Sequence, residues 1–206
     1  LIKRTIKEHK KILFSGNGYD DAWVKEAESR GLLNLRTTPD CLPCYIWDKN
    51  VKLFEAHKVF TATEMRARYE ILLDNYSKTI NIEALTMLDM AKKDILPASA
   101  SFMGQLSEVV IAKKTACKDI ACTYEEEIIS RLTALTNKMF SDVQELEKEL
   151  EAKKEIDDAQ KIAEYYKDVI ISRMAKIRES ADAIEVMTER SYWPYPSYAD
   201  LLFGVR

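Results

Sequence analysis

The 206 residues are 47% hydrophobic and 32% charged, with only five glycines and five prolines. That content supports a substantial core in one medium domain or two small ones, excludes intrinsic disorder, and favours long helices over sheets. Thirty-one lysines and arginines against 34 aspartates and glutamates leave a formal charge of −3, without the positive excess of a dedicated nucleic-acid binder.

No stretch approaches the roughly 18 consecutive apolar residues that span a bilayer, and residues 1–13 lack the apolar stretch of a secretory signal. A cytoplasmic chain that engages neither membrane nor nucleic acid is expected. Four cysteines are too sparse for a disulfide scaffold and read as reduced thiols. The chain opens on Leu1 inside a helical pattern, so it is expected to be a piece of something longer.

Ile2, Ile6 and Leu13 recur at helical spacing, with Lys3, Arg4, Lys7, Lys10 and Lys11 on the other faces. Those cations suit either a solvated face or a phosphate grip, and the solvated face is preferred because apolar residues line the opposite side. The turn Ser15-Gly16-Asn17-Gly18 should stop this helix. Asp20 or Asp21 then caps a helix carrying Trp23, Val24 and Ala27, which Gly31 ends. Residues 32–47, with Pro39 and Pro43, read as an irregular connection holding one turn opened by Thr38-Pro39. Asp48 caps a short helix through Val51, Leu53, Phe54 and His57.

Thr61 and Glu64 fit a capping box, and Phe60 with Met65 fits a hydrophobic staple. The helix that follows keeps its spacing through Tyr69, Leu73, Tyr76, Ile80 and Leu88, with Met87 and Met90 read as core. Pro97 removes a donor and clashes with the preceding turn, so a kink or restart is expected there before Phe102, Leu106 and Val109. Thr123 and Glu126 repeat the capping-box pattern. Ile128, Leu132, Leu135, Met139, Val143, Leu146 and Leu150 then form a near-heptad seam. Lys153 and Lys154 close that helix, Asp157 and Asp158 open the next, and Ile162, Tyr166, Val169, Ile170, Met174, Ile177, Ala181 and Ile184 line it. Each helix of about 30 residues runs roughly 45 Å, which predicts an antiparallel hairpin. Glu145, Glu147, Glu149 and Glu151 put like charges at i, i+4 and suggest a water-exposed projection. The aromatic and proline tail from Tyr192 to Tyr198, with Leu201, Leu202 and Phe203 after it, is too apolar to stay exposed. It reads as docked on its own helices or on a neighbouring subunit, or as a polyproline-type ligand.

Motifs for chemistry are few. Cys41-Leu42-Pro43-Cys44 and the pair Cys117 and Cys122 suit zinc only with tighter knuckles, and no strand precedes the CxxC as a redox site requires. Ordinary small apolar side chains are the simpler reading. Gly16 and Gly18 lack the third glycine of a dinucleotide fingerprint, and neither His9 nor His57 has the preceding glutamate of a di-iron bundle. The residues single out no catalytic, cofactor-binding or metal site.

Several segments together resemble the C-terminal region of type III glutamine synthetases. They are His9 to Phe14 with Asn17-Gly18-Tyr19, Trp23 to Ala27 with Arg30 to Leu35, Arg68 to Leu73, Thr79 to Met87, Lys93 to Pro97, Tyr192 to Pro196 and Asp200 to Phe203. The resemblance implies a parent enzyme that joins glutamate and ammonia at the expense of ATP with a divalent metal, Mg or Mn, in a large double-ring homo-oligomer. It implies that the glutamate, nucleotide and metal residues lie before Leu1, so no such role is carried onto a residue here, and that the cysteines of the 40–45 stretch are a departure from the family.

The expected fold is an all-α, elongated antiparallel helix bundle with a kinked long helix and a long hairpin. Residues 1–19 would end the catalytic domain, 20–60 form short helices and a connector, 61–190 the bundle with its hairpin at 124–190, and 191–206 the docked tail. The expected role is architectural, in assembly or in regulation, through the chain's own catalytic domain and other subunits. Alone, the chain is expected to be inactive. A free-standing helical adaptor, pairing its seam with a partner helix, is the alternative.

Overall fold

The computed structural model describes residues 1–204, which form helices and turns with no strand among them. Two units divide the chain, residues 1–69 and 70–206. The first holds four short helices and the opening turns of a fifth: α1 (Ile2–Glu8), α2 (Asp21–Ser29), α3 (Thr38–Tyr45), α4 (Asp48–Ala56) and the start of α5 (Ala62–Ala116).

Local chemistry sets these boundaries. The Asp20 carboxylate accepts the Ala22 amide at 2.8 Å and caps α2. Gly31, at φ +72°, ends it: the Leu32 amide reaches the Ala27 carbonyl and the Gly31 amide reaches Glu28, the paired bonds of a Schellman turn. The same two bonds end α4, from Val59 to Phe54 and from Lys58 to Glu55, with Lys58 rather than glycine in the left-handed region at φ 55°. The turn at residues 15–18 works differently from expectation. Among the described residues Gly31 is the one glycine at positive φ, and Asn17 shapes that turn by accepting the Tyr19 amide through its side chain. The connection over 32–47 is also more regular than expected. Thr37 caps a two-turn helix with Pro39 in its first turn, where a missing amide leaves no bond unmade.

At the start of α5 the expected box is present. The Glu64 carboxylate accepts the Thr61 amide at 2.7 Å, and the Thr61 hydroxyl accepts the Glu64 amide at 3.2 Å. The backbone amide of Thr61 holds the Glu64 carboxyl below its ordinary range. Thr123 does not repeat this. Its helix, α6 (Thr123–Ala152), begins one residue earlier, with Cys122 at the cap and no side-chain cap bond. Lys113 and Lys114 on the last turn of α5 take Glu125 and Glu126 instead, so the carboxylates serve a tertiary contact rather than a local one.

The second unit is a three-helix bundle built from the later part of α5, from α6 and from α7 (159–187). Ion pairs fix the antiparallel sense of both neighbours. Lys113 meets Glu125 and Lys92 meets Glu147 across α5 and α6, while Lys138 reaches Glu179 and Arg173 reaches Glu149 across α6 and α7. Leu132, Met139, Val143 and Leu146 on α6 are fully buried against Tyr166, Ile170, Ile177 and Ile184 on α7. The near-heptad seam is therefore filled by the chain's own helix, which removes the ground for a seam awaiting a partner.

The disturbance expected at Pro97 takes the form of a π-turn. Helix α5 continues from Ala62 to Ala116, and over Ala91–Ile95 it widens so that the Leu96 amide bonds the Ala91 carbonyl five residues back. The widened turn directly precedes the proline, where an ordinary ladder would lack a donor. A second π-turn, Tyr166–Ile170, interrupts α7, with the Ile171 amide on the Tyr166 carbonyl. No proline marks it, and it sets both Tyr166 and Ile170 fully inside the core.

Tyr192, Trp193 and Tyr195 of the tail pack against that core. The Tyr192 ring lies 5.5 Å from Phe102, and the Tyr195 hydroxyl donates to the Asp94 carboxylate at 2.7 Å. The last helix, α8 (Tyr198–Phe203), is different. Ser197 and Asp200 form its capping box, yet Leu201, Leu202 and Phe203 stand 66–81% exposed. Its single turn and a half presents one face to nothing in the described chain, so the packing of the tail on its own helices runs as far as Tyr195.

Candidate functional site

The residues weighed for chemistry stand apart from one another. Cys41 and Cys44 lie on α3, the first exposed and the second half-buried, while Cys117 and Cys122 flank the turn between α5 and α6. His9 and His57 are exposed residues at the ends of α1 and α4. Among the described residues no group of three His, Cys, Asp or Glu side chains is placed to hold a metal ion. The donors present therefore do not fit the divalent metal that the resemblance implies, and no chemical step is assigned to them. The basic face of α1 gains no apolar backing within the described chain, since Ile2 and Ile6 are 76% and 53% exposed. Its neighbourhood is tied down by Arg30, which donates to the Leu13 carbonyl at 2.8 Å and lies over Trp23, itself stacked on Phe14 at 4.2 Å.

Polar side chains converge instead inside the bundle, in two clusters on the hairpin. In the first, the Glu149 carboxylate accepts the Tyr165 hydroxyl at 2.6 Å and Arg173 at 2.9 Å, and Arg173 also meets Glu145 at 3.4 Å. The Tyr165 bond first, and Arg173 second, hold the Glu149 carboxyl below the ordinary range. Glu147 pairs with Lys92. Three of the four glutamates expected to project freely are thus half-buried and partnered, because cations on α5 and α7 face them across the bundle. The i, i+4 repulsion seen in the sequence is offset by those neighbours.

The second cluster closes the end of the hairpin. Tyr166 is fully buried and its hydroxyl donates to Asn81 Oδ1 at 2.7 Å. Lys153 donates to that same phenol oxygen and to Asn81 Oδ1 at 3.2 Å. Ser77, one turn before Asn81, is buried with its hydroxyl unpartnered. These groups line a cavity of about 300 Å³. By position in the sequence Lys153 is a helix-closing charge and Tyr166 a core residue, and Ser77 and Asn81 belong to no motif. The available signal was two polar residues, four apart, on the buried stripe of α5 that runs through Leu73, Ala84 and Leu88.

A separate apolar cavity of about 360 Å³ lies between α5, α6 and α7, lined by Met87, Met90, Met139 and Met174 among others. Met139 is fully buried, whereas Met90 is 36% exposed at the rim rather than in the core. Helix α5 also holds an 18-residue window of mean hydropathy 1.3, apolar enough by length and composition to cross a membrane, although the core helix of a bundle passes the same test. Phe102 and Leu106 of α5 are buried in the core cluster with residues of α6 and α7.

A family model described as the glutamine synthetase C-terminal domain matches residues 1–114, more than half the chain. The chain belongs to that family. Among its relatives, a glutamine synthetase of Butyrivibrio fibrisolvens is 37% identical over all 206 residues, which is 29% of that protein's length. A type-3 glutamine synthetase of Dictyostelium discoideum is 29% identical over 98% of this chain, covering 28% of its own length. A glutamine synthetase of Bacteroides fragilis (strain YCH46) is 26% identical over 98% of this chain and again 28% of its own. The chain thus spans less than a third of the curated relatives it matches. The family model stops near the end of α5, while the sequence similarity to the relatives continues along the hairpin of this glutamine synthetase C-terminal domain.

Two phenols of this domain carry a pH signature. Burial first, and the bond to Glu149 second, push the Tyr165 phenol from its ordinary 10 up to about 12, and burial with the bond to Asp94 does the same for Tyr195. A group whose pKa is raised on folding contributes stability that is complete below the unfolded value and lost as pH rises through the folded one. We expect the domain to lose stability between pH 10 and 12 as these phenols ionise. Following phenolate absorbance and helicity together checks this. Replacing both residues by Phe should remove two late-titrating tyrosines, and ionisation of these two phenols with a midpoint near pH 10 while native helicity is kept would contradict it.

Proposed function

We propose that this chain is the architectural and assembly-forming part of an ATP-dependent glutamate–ammonia ligase. The observation that carries the reading is the family match over residues 1–114, joined to relatives named glutamine synthetase that are more than three times longer. In this reading the residues that bind glutamate, ATP and Mg or Mn belong to the rest of the protein, and the enzyme works in the cytoplasm. The double-ring homo-oligomer gives the chain its partners, its own catalytic domain and neighbouring subunits. The exposed apolar side chains support contacts of that kind. Ile71, Ile82, Leu85 and Ile111 on α5, with Val186 on α7, are each more than half exposed on helices whose other faces are already packed.

Deleting residues 124–190 from the full enzyme tests the division of labour. The expected result is a changed assembly state, read by light scattering, with activity falling as assembly fails. Glutamine formation by residues 1–206 alone, or a deletion that leaves both assembly and turnover intact, would overturn it.

A further inference from the structure

The cavity at the closed end of the hairpin is unusual in what its polar groups leave unused. Asn81 Oδ1 accepts from both Lys153 and the Tyr166 hydroxyl, and the Tyr166 oxygen accepts from Lys153 in turn. These bonds consume the acceptors and fix the orientation of the Asn81 amide, because an NH₂ in place of Oδ1 would meet two donors. Three groups beside these bonds keep donors to offer. Lys153 keeps one N–H, Asn81 keeps its NH₂, and the Ser77 hydroxyl, 7% exposed as a residue, has no partner among the described residues. A buried hydroxyl left unpaired costs about 1–3 kcal/mol, so a bound acceptor there is favoured.

The charges agree. Asp74 is neutralised by Lys78 at 2.6 Å, Lys154 is held by Glu151, and among the described residues no carboxylate pairs with Lys153. The lining therefore carries three lysines against one aspartate, in a chain whose formal charge is −3. Ile156 and Ile162 supply an apolar wall. A volume of about 300 Å³ is that of roughly ten liquid waters, enough for a compact metabolite-sized anion.

We propose that this cavity binds a small oxyanion, a carboxylate or a phosphate, on the Lys153 ammonium, the Asn81 amide and the Ser77 hydroxyl. The ligand would join the middle of α5 to the turn between α6 and α7, since Ser77 and Asn81 come from the first and Lys153 from the second. Binding would therefore stiffen the end of the hairpin. None of these groups takes part in the ligation proposed above, and failure of either reading leaves the other standing.

Hydrogen-exchange mass spectrometry on the full-length protein tests this, because it localises the effect whatever else binds anions. Inorganic phosphate and succinate are titrated separately against sodium chloride at matched ionic strength, reading segments 73–84 and 150–166. At ten times the half-saturating concentration, exchange by local opening in both segments should slow about tenfold, and sodium chloride should not reproduce it. A response to phosphate alone or to succinate alone identifies the source of the oxyanion. Ser77→Ala removes a hydroxyl that nothing else uses, and should raise the half-saturating concentration roughly fivefold. Lys153→Met should raise it roughly tenfold to hundredfold. If that variant loosens the hairpin, the Ser77→Ala titration decides alone. No saturable protection in these segments, equal protection by sodium chloride, or a Ser77→Ala titration that superimposes on the unsubstituted protein would overturn the proposal.

Discussion

Leu146→Ala should lower the stability of the bundle by about 3 kcal/mol, within the range of about 2–5 typical of buried leucines. Leu146 is fully buried, on the same stripe as Met139, Val143 and Leu150, and the residues opposite it on α7 are fully buried too. The loss has two parts, the transfer of the missing methyl groups and the cavity left between helices that cannot close on it. Urea unfolding of the full-length protein, followed by helicity, should show the bundle's transition at a lower midpoint with its slope unchanged. Lys176→Ala is the internal comparison. Lys176 lies on α7 but is exposed, and its substitution should change the stability by less than about 0.5 kcal/mol. Equal effects from the two would mean that α6 and α7 do not pair through this seam.

That seam was legible in the sequence because it is repetitive: seven apolar residues at intervals of three and four on one helix, matched on the next, leave few other arrangements. The caps at Asp20, Thr61 and Asp158 were legible because each depends on residues two or three apart. Features set by neighbours distant in the chain were not. Glu126 with Thr123 has the spacing of a second capping box, but Lys114, twelve residues earlier, takes its carboxylate. The row of glutamates on α6 looked repulsive because Arg173 and Lys92, which answer it, are far away in sequence. Lys58 in a left-handed turn has no local marker at all, since glycine is the usual signal.

The two π-turns divide in the same way. The one at Ala91–Ile95 was foreshadowed by Pro97, although the sequence indicated a break rather than a widened turn. The one at Tyr166–Ile170 had no foreshadowing, because its cause is tertiary: it places a tyrosine in the core with its hydroxyl on Asn81, 85 residues earlier. The candidate anion site was invisible for that reason. Ser77, Asn81, Lys153 and Tyr166 form no motif, and only the folded bundle shows that three of them keep donors to offer.

Ending the chain at Ser191 should destabilise the bundle by on the order of 4 kcal/mol, through the loss of three aromatic side chains and one hydrogen bond. Tyr192, Trp193 and Tyr195 are each half-buried against the core. At about half of the 1.5–3 kcal/mol of a fully buried large side chain, each contributes about 1 kcal/mol, and the bond from Tyr195 to Asp94 adds about 1 more. Phe102, now 4% exposed, would lose the Tyr192 ring beside it. Leu201, Leu202 and Phe203 should contribute almost nothing to this loss, because they are already exposed. A chain ending at Pro196 separates the two halves of the tail: it should keep nearly all the stability, while the chain ending at Ser191 should not. If the shorter truncation instead lowers the unfolding midpoint as much as the longer one, α8 and not the aromatic segment is what holds the tail in place. If neither moves the midpoint, the tail's aromatic residues do not stabilise the bundle.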